Sequence, residues 1–178
     1  MEFTIEDVLE ATGGELVQGA PGPLLTGVST DSRTVAADEL FIAIEGERFD
    51  GHDYVGKALA AGAGGAVIAH GPLPEGTHRP VVRVADTARA YGDVASWWAN
   101  QMPARVVTVT GSNGKTTIKE AVAHLLELLG PTLRSEANHN NHIGVPETLL
   151  RLRPEHRFAV VEMGTNHPGE IERLARLV

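Results

Sequence analysis

The sequence predicts an α/β protein in which a small mixed α/β N-terminal domain, residues 1–84, precedes the first part of a parallel-sheet domain, residues 85–178. Three observations support this fold class. Short apolar runs bounded by turn residues recur in the first segment. In the second segment, β-branched runs alternate with amphipathic helical patterns. A glycine-rich loop stands where one of those runs gives way to a helix.

The first segment begins with a short helical pattern over residues 5–11, which a glycine pair ends. Strand-length apolar runs follow at residues 24–28, 40–44, 66–69 and 81–84. Between the second and third runs a helix is predicted over residues 54–61, with Asp53 as its N-terminal cap and Gly62 as its end. We therefore expect a small sheet with helices against it.

The second segment begins at a helix over residues 87–101, which Asp86 caps and whose apolar residues recur at helical spacing. Predicted strands at 105–110, 132–135 and 158–163 then alternate with predicted helices at 115–129, 145–152 and 168–178. This order predicts a parallel sheet with crossover helices. Since a parallel sheet needs cover on both faces, we expect the domain to be incomplete within these 178 residues.

Composition excludes several classes of protein. The formal net charge of −8 argues against a general nucleic-acid binder, which would present a basic face. No run approaches the roughly 18 apolar residues of a membrane span, and the absence of cysteine excludes disulfides and thiolate metal sites. The acidic start lacks the features of a signal peptide. We expect a cytoplasmic monomer that is not inserted in a membrane.

The strongest chemical signal is VTVTGSNGKTT at residues 107–117, where a strand turns into a helix. Gly111 and Gly114 allow sharp bends that aim backbone N–H groups at an anion, and the helix N-terminus adds partial positive charge. Lys115 can reach the β- and γ-phosphates, and Thr116 can present its hydroxyl to Mg²⁺. The loop therefore predicts a P-loop-type nucleotide-binding domain.

The loop departs from the general pattern G-x-x-x-x-G-K-[ST], because Val109 stands where that pattern has a glycine. The structural alternative is a glycine-rich turn with an exposed lysine. Even as a phosphate loop, the motif does not name the reaction, since a kinase, a GTPase, a motor or a ligase would each use it.

Three sets of motifs carry a family resemblance. The string TGSNGKTT resembles the nucleotide loop of the Mur ligase superfamily, which includes the folylpolyglutamate synthetases. NHNNHIGVP at 138–146 and AVVEMGTNHPGEI at 159–171 are similar to segments of the MurF-type ligases, with Thr165 where alanine is usual. TDSR at 30–33, LFIA at 40–43 and GERFDGH at 46–52 resemble the uridine-nucleotide-binding domain that MurE- and MurF-type ligases share. The resemblance extends over essentially the whole chain, which is well under half of a complete MurF-type ligase.

The resemblance implies an ATP-dependent amide ligase of peptidoglycan synthesis. Such an enzyme joins D-alanyl-D-alanine to UDP-N-acetylmuramoyl-tripeptide, with ATP and Mg²⁺ as its cofactors. ATP phosphorylates the terminal carboxylate of the tripeptide, and the amine of the dipeptide then attacks the acyl phosphate. Because two anions meet in the first step, positioning and electrostatics should supply most of the catalysis.

The resemblance also implies roles for individual residues. The cofactor-binding set is Gly111, Ser112, Asn113, Gly114, Lys115, Thr116 and Thr117. Lys115 and Glu162 are the catalytic candidates, and Thr116 and Glu162 are the candidate Mg²⁺ ligands. The candidate substrate contacts are Ser32, Arg33, Arg48, His52, Asn138, Asn140, Asn141, Asn166 and His167.

Each of these roles has a structural alternative. Glu162 would be a solvated carboxylate at a strand end, the asparagines a polar turn, and His167 a helix cap. Arg33 and Arg48 would form surface pairs with aspartates. A zinc site of His139, His142 and His167 is rejected, because the family pattern varies at 139 and 142. Helical spacing favours core packing over base stacking for the pair Trp97 and Trp98.

Three other functions compete with this interpretation. A MurE- or folylpolyglutamate-type ligase is disfavoured by the 138–146 segment. A phosphotransferase or GTPase would need an Asp-x-x-Gly switch or a base-reading motif, and the sequence has neither. A nucleotide-binding module without turnover is the third. The resemblance implies a further metal-site histidine, a carbamylated lysine and a closing domain that these residues lack, so we expect residues 1–178 alone to show no ligase turnover.

Overall fold

The computed structural model describes residues 1–22, 24–46, 49–137, 139–165 and 167–178. They form two compact units, Met1–Tyr91 and Gly92–Val178. The division lies inside a single helix, later in the chain than the boundary after residue 84 that the sequence suggested. Each unit contains its own sheet, in agreement with the predicted α/β class.

The first unit is built from short strands and helices. In chain order these are α1 (Ile5–Thr12), β1 (Glu15–Gln18), β2 (Gly27–Ser29), β3 (Glu39–Ile42), a 3₁₀ turn (Gly51–Tyr54), α2 (Val55–Ala60), β4 (Gly65–Ile68) and β5 (Val81–Arg83). The sheet order is β1-β5-β4-β3-β2. The neighbours from β2 to β5 are parallel, and β1 is antiparallel to β5. The predicted mixed α/β unit is confirmed.

Strand β1 was absent from the sequence prediction. Its sequence, ELVQ, has only two adjacent apolar residues, so it shows neither an apolar run nor an alternation. Leu16 pairs with Val82 of β5, and none of the four β1 residues is fully buried. The strand therefore forms because a distant edge is available, which a local pattern does not reveal.

The two helices of the first unit begin in different ways. At α1, the Thr4 hydroxyl accepts from the Asp7 N–H and the Asp7 carboxylate accepts from the Thr4 N–H, which is a capping box. The predicted cap of the second helix by Asp53 is wrong, because α2 has no side-chain cap. Asp50 instead caps the preceding 3₁₀ turn by accepting from the His52 N–H at 2.9 Å.

The core of the first unit lies between α2 and the centre of its sheet. Phe41 and Ile68 from the strands pack with Val55 and Leu59 from the helix, and all four are buried. Burial of such side chains is the main favourable term in folding. It also fixes the position of the chain around the 3₁₀ turn.

Helix α3 (Thr87–Asn100) begins where the sequence predicted it. The Asp86 carboxylate accepts from the Arg89 N–H at 2.9 Å, which confirms the predicted cap. Trp98 is 7% exposed, and its Nε1 donates to the Leu152 carbonyl at 3.1 Å. Trp98 is therefore a core residue, as its helical spacing indicated.

The longest helix of the described residues is α3, with 14 residues. A helix that crosses a bilayer needs roughly 20 predominantly apolar residues. Along the described ranges, no helix is long and apolar enough for that.

The second unit is a parallel sheet with helices. Its elements are β6 (Arg105–Val109), α4 (Lys115–Glu127), β7 (Thr132–Arg134), α5 (Gly144–Leu150), β8 (Phe158–Glu162) and α6 (Glu170–Ala175). The strand order is β6-β8-β7, and both pairings are parallel, which confirms the predicted sheet. The last helix begins after Gly169, slightly later than predicted, because that glycine is the N-cap and has a left-handed φ of 87°.

The register of this sheet brings three loops to one edge. Val109 pairs with Glu162, and Arg134 pairs with Val160, so all three strands end close together. Helix α4 packs on the sheet through Ala123, which is buried with Val109 and Val160. Ligands of open parallel sheets bind outside this carboxyl edge.

Candidate functional site

The glycine-rich loop has the backbone conformation that the sequence predicted. Gly111 has a φ of 146° and Gly114 a φ of 75°, and both values favour glycine strongly. A Cβ atom at Gly114 would meet nothing within 4 Å, so the requirement there is conformational and not one of space. Gly114 is also the N-cap of α4 and supplies no side-chain acceptor. The first N–H groups of α4 therefore have the orientation and polarity that suit an anion.

Lys115 folds back across this loop. Its Nζ donates to the Gly111 carbonyl oxygen at 2.8 Å. The side chain is half-buried rather than extended into solvent. The ammonium group is thus held at the start of the loop by the carbonyl of Gly111.

Thr116 and Glu162 meet at the edge of the sheet. The Thr116 Oγ1 donates to the Glu162 Oε2 at 3.0 Å. Glu162 is 2% exposed, and its Oε1 accepts from the Asn140 Nδ2 at 2.9 Å. This burial excludes the alternative of a solvated carboxylate at a strand end.

Asn140 reaches Glu162 because residue 164 is glycine. The Gly164 N–H donates to the Asn140 carbonyl oxygen at 2.7 Å. A Cβ atom at Gly164 would lie 2.8 Å from the Asn140 Cγ, which is closer than real contacts allow. The glycine therefore permits a close approach between two loops at the edge of the sheet.

The Thr116–Glu162 pair fits a magnesium ion. Mg²⁺ prefers oxygen ligands in octahedral geometry, and adjacent ligands of such an ion are about 3 Å apart. The two oxygens have that separation, 3.0 Å. A hydroxyl that donates to a carboxylate keeps its lone pairs for a cation. Among the described residues, the side chains that bond the Glu162 carboxylate, Thr116 and Asn140, are neutral, so neither brings a positive charge that would compete with a metal.

Two buried residues at this edge, Lys119 and Ser135, were not predicted from the sequence. Lys119 is 1% exposed, and its Nζ donates to the Ser135 carbonyl oxygen at 2.8 Å and lies 3.1 Å from the Glu120 Oε1. Ser135 is also 1% exposed, and its Oγ accepts from the Glu162 N–H at 3.1 Å. A signal was present for Lys119, since it stands one turn after Lys115 and one turn before a buried alanine on the same helix.

The remaining loop candidates have contacts of several kinds. The Asn141 Oδ1 accepts from the N–H groups of Ile143 and Gly144, at 3.1 and 2.9 Å, so this side chain orders the start of α5. His167 is exposed, and its Nδ1 lies 3.3 Å from the Glu170 Oε1 near the start of α6. Asn138 and Asn166 lie outside the described residues.

A cavity of about 420 Å³ opens in the first unit. Its lining residues are Thr30, Asp31, Ser32, Arg33, Phe41, Ile44, Phe49, Gly51, Tyr54 and Lys57. Ser32 and Arg33, two of the predicted substrate contacts, both line this cavity. The aromatic side chains and Lys57 were not predicted, because they come from β3, the 3₁₀ turn with the residues before it, and α2, which only the fold brings close to Arg33. Arg48 lies outside the described residues.

Arg33 pairs with a neighbour in this cavity. Its Nε donates to the Asp31 Oδ1 at 2.9 Å, and its side chain is 78% exposed. The hydrogen bonds from Arg33 lower the pKa of the Asp31 carboxyl to about 2. The surface ion pair between Arg33 and Asp31, which was the structural alternative for Arg33, is therefore present. Arg33 also lines the cavity.

His52 has no free ring nitrogen. Its Nε2 accepts from the Ala69 N–H at 2.9 Å, and its Nδ1 lies 2.6 Å from the Asp50 Oδ1. Because a backbone N–H can only donate, the proton of the neutral ring is on Nδ1 and is donated to Asp50. The direct substrate contact expected of His52 is thus corrected to a structural one: the buried ring connects the 3₁₀ turn to β4.

The same proton assignment argues against a metal at this place. Asp50, His52 and His70 form the one group of three potential metal ligands found in the described part of the chain. A metal would need the Nδ1 lone pair of His52, which carries a proton as long as Nε2 accepts from Ala69. His70 instead stacks on His52 with ring centroids 3.8 Å apart.

Comparison with known proteins identifies relatives of both segments. Residues 24–98 match the family model described as Mur ligase family, catalytic domain, and residues 109–178 match the one described as Mur ligase middle domain. The chain is 46% identical over 171 residues to the UDP-N-acetylmuramoyl-tripeptide–D-alanyl-D-alanine ligase of Escherichia coli (strain K12), covering 96% of the chain and 37% of that protein. The enzyme of the same name from Bacillus subtilis (strain 168) is 37% identical over 176 residues, 98% of the chain and 38% of that protein.

Solved structures of MurF ligases are also similar to this chain. A crystal structure of MurF from Acinetobacter baumannii superposes with a TM-score of 0.90 at 36% identity, covering 100% of this chain and 39% of that one. The MurF ligase from Thermotoga maritima in complex with ADP gives a TM-score of 0.77 at 29% identity, over 85% of this chain and 35% of that one. The chain therefore spans less than two fifths of the length of these relatives.

Proposed function

Because the chain belongs to the Mur ligase family, we propose that it works within an ATP-dependent amide ligase that adds D-alanyl-D-alanine to UDP-N-acetylmuramoyl-tripeptide. The observation that carries the proposal is the meeting of the Thr116 hydroxyl with the buried Glu162 carboxylate, 3.0 Å apart beside the glycine-rich loop. This pair joins a phosphate-binding loop to a cation site, which is the combination that phosphoryl transfer needs.

The loop would hold the triphosphate of ATP. The N–H groups of residues 113–117 would cradle the phosphates, together with Ser112 and the bends at Gly111 and Gly114. Lys115 would exchange its bond to the Gly111 carbonyl for a bond to the phosphates. Support comes from the relative from Thermotoga maritima, whose structure is a complex with ADP.

Thr116 and Glu162 would hold the Mg²⁺ that accompanies the nucleotide. The ion would supply charge neutralisation between the phosphates and the attacking carboxylate. Asn140 would keep the Glu162 carboxylate turned toward Thr116 through its hydrogen bond to Oε1. The predicted substrate contacts of Asn138, Asn140, Asn141, Asn166 and His167 stay proposals at the same edge.

The proposed reaction has two steps. A carboxylate oxygen of the tripeptide bonds to the γ-phosphorus of ATP while the bond to the β-phosphate oxygen breaks, which releases ADP. The dipeptide amine then attacks the acyl carbon, loses a proton, and expels inorganic phosphate as the amide forms. The residues of this chain act in the first step by positioning and electrostatic stabilisation.

The cavity of the first unit would take the uridine diphosphate part of the substrate. Arg33 and Lys57 supply positive charge for a diphosphate, and Ser32 supplies a hydroxyl. Tyr54 and Phe49 supply aromatic surface for a base. Arg48 stays a proposed contact, and His52 would act indirectly by fixing the 3₁₀ turn.

A binding experiment with two ligands tests this assignment. Calorimetry on the 178-residue chain should show binding of ADP with Mg²⁺ and, separately, of UDP-N-acetylmuramoyl-tripeptide. Lys115→Ala should weaken ADP binding by about tenfold or more and leave the tripeptide affinity unchanged, since charge-assisted hydrogen bonds contribute roughly 1.5–3 kcal/mol each. Lys57→Ala should do the opposite. If neither variant binds ADP more weakly than the parent chain, the assignment of the loop to the phosphates is refuted.

A second candidate function follows from the coverage of the relatives. The chain spans 37% of the Escherichia coli ligase, so by itself it would be a nucleotide-binding module without turnover. We expect no release of ADP that depends on D-alanyl-D-alanine from residues 1–178 alone. Such release would contradict this expectation and would assign full ligase chemistry to this chain.

A further inference from the structure

A buried lysine connects the helix of the phosphate loop to the neighbouring strand. Lys119 lies on α4, one turn after Lys115 and Thr116, and is 1% exposed. Its Nζ donates to the Ser135 carbonyl oxygen at 2.8 Å. The bond therefore attaches α4 to the residue that directly follows β7.

Ser135 continues this connection to the metal-ligand candidate. Its own N–H donates to the Val160 carbonyl at 3.0 Å, and its Oγ accepts from the Glu162 N–H at 3.1 Å. Since Glu162 in turn accepts from Thr116 on α4, the bonds close a ring. The ring runs from Thr116 along α4 to Lys119, then to Ser135, then to Glu162 and back to Thr116.

The charge of Lys119 is unfavourable to bury. Removing an ammonium group from water is unfavourable by several kcal/mol, and apolar replacements of buried ion pairs are often neutral or stabilising. Lys119 has a single carboxylate within ion-pair distance among the described residues, Glu120 at 3.1 Å, and Glu120 is also held by Arg134. The hydrogen bond from Lys119 lowers the pKa of the Glu120 carboxyl.

We propose that Lys119 and Ser135 are positioning residues that hold the Glu162 carboxylate and the Thr116 hydroxyl at the separation a divalent cation requires. The inference deepens the proposed function and rests on it. Neither residue touches the nucleotide or the cation. Lys119 fixes the distance between α4 and the end of β7, and Ser135 fixes the backbone of Glu162. Partners of this kind set metal affinity by orienting the ligands.

Two substitutions and one control test the ring. Lys119→Met keeps an unbranched side chain that is one atom shorter and removes its donor, and Ser135→Ala removes one oxygen. Thr132→Val removes a hydroxyl from the other end of the same strand, where it donates to the Gly130 carbonyl, and serves as the control. The first readout is the ratio of the ADP dissociation constants without and with Mg²⁺, by calorimetry. The second is hydrogen exchange of the Glu162 amide, by NMR.

Both ring variants should lower the Mg²⁺-dependent ratio by about 10–100-fold, the usual effect of losing a partner of a metal ligand. Their Mg²⁺-free ADP affinity should stay within about threefold, because the loop amides are unchanged. The Glu162 amide should exchange faster, and the melting temperature of Lys119→Met should also fall, because the buried Ser135 carbonyl loses its donor. Thr132→Val should match the parent protein in each measurement.

Two results would overturn the inference. In one, folded Lys119→Met and Ser135→Ala keep the parental Mg²⁺ ratio and the parental protection of the Glu162 amide, which would make both residues merely structural. In the other, the unsubstituted chain has the same ADP dissociation constant with and without Mg²⁺, which would also refute the proposed metal site. If Lys119→Met does not fold, Ser135→Ala decides the question alone, because it makes only a small change in volume.

Discussion

In the first unit the charged side chains of the cavity lie open to solvent, whereas in the second unit three polar residues at the edge of the sheet, Lys119, Ser135 and Glu162, are buried. Arg33 is 78% exposed, and its partner Asp31 is half as exposed. Glu162, Lys119 and Ser135 are each exposed by 2% or less, and each bonds to another part of the chain. An exposed pair contributes little because water and salt screen it. A buried polar group left without its partner destabilises the structure markedly.

The difference suggests two ways of binding. The open cavity can adjust its side chains to a ligand, because the exposed Arg33–Asp31 pair contributes little and is easily exchanged for other contacts. The edge of the sheet is preorganised, since its bonds already hold the oxygens that a cation would need. Substitutions at the edge should therefore have larger effects than substitutions in the cavity.

The largest effect is expected from Glu162→Gln. The amide can keep both hydrogen bonds, to Asn140 and to Thr116, but it has no negative charge for a cation. The Mg²⁺-dependent gain in ADP affinity should fall by more than the roughly 10–100-fold that loss of an outer partner produces. The free energy of unfolding should change by no more than about 1 kcal/mol. Calorimetry and denaturant unfolding measure the two quantities, with Glu155→Gln at an exposed position as the control.

If Glu162→Gln keeps the full Mg²⁺-dependent gain in ADP affinity, the proposed difference between the two units is wrong. The buried carboxylate would then be a structural acceptor for Asn140 and Thr116, no more specialised than the exposed pair of the first unit.

A smaller effect is expected from Gly164→Ala. The new methyl group would lie 2.8 Å from the Asn140 Cγ, so the Asn140 loop must shift and its bond to Glu162 would weaken. Overpacking of this kind destabilises by about 1–3 kcal/mol. Gly56→Ala is the matched control in the first unit, because its Cβ would meet nothing within 4 Å and alanine favours a helix. The melting temperature should fall in Gly164→Ala and rise in Gly56→Ala. Equal shifts in the two variants would count against a close approach between Gly164 and Asn140.

The smallest effect is expected from Arg33→Ala. Without the hydrogen bonds from Arg33, the pKa of Asp31 should rise from about 2 toward its ordinary value of 3.8. A carboxyl with a depressed pKa stabilises the fold above its ordinary pKa and loses that contribution as the pH falls toward the folded value. The parent protein should therefore lose this contribution between about pH 4 and pH 2. Because the pair is exposed, the change in stability should be slight and should decrease with salt.

An NMR titration of the Asp31 carboxyl measures this pKa directly. A value that stays near 2 in Arg33→Ala would show that another group controls the carboxyl. The exposed Arg33–Asp31 pair could then no longer be contrasted with the buried hydrogen bonds of Lys119, Ser135 and Glu162.

Apart from strand β1, the order of strands and helices was predictable, because it depends largely on local periodicity and on turn residues. Asp86 caps α3, and the bends at Gly111 and Gly114 are present, since these features need only neighbouring residues. The buried state of Lys119 and the occupied ring of His52 were not predictable. Each depends on a partner far along the chain, Ser135 in one case and Ala69 in the other.

The bond between Lys115 and the carbonyl of Gly111 has a consequence for selectivity. The ammonium group already has an acceptor inside the loop, so an incoming anion must compete with a peptide oxygen for it. Chloride or a single carboxylate brings one charge and gains little from the exchange. A chain of phosphates brings several charges and also engages the neighbouring amides, so this internal bond should act as a threshold that only polyanions pass.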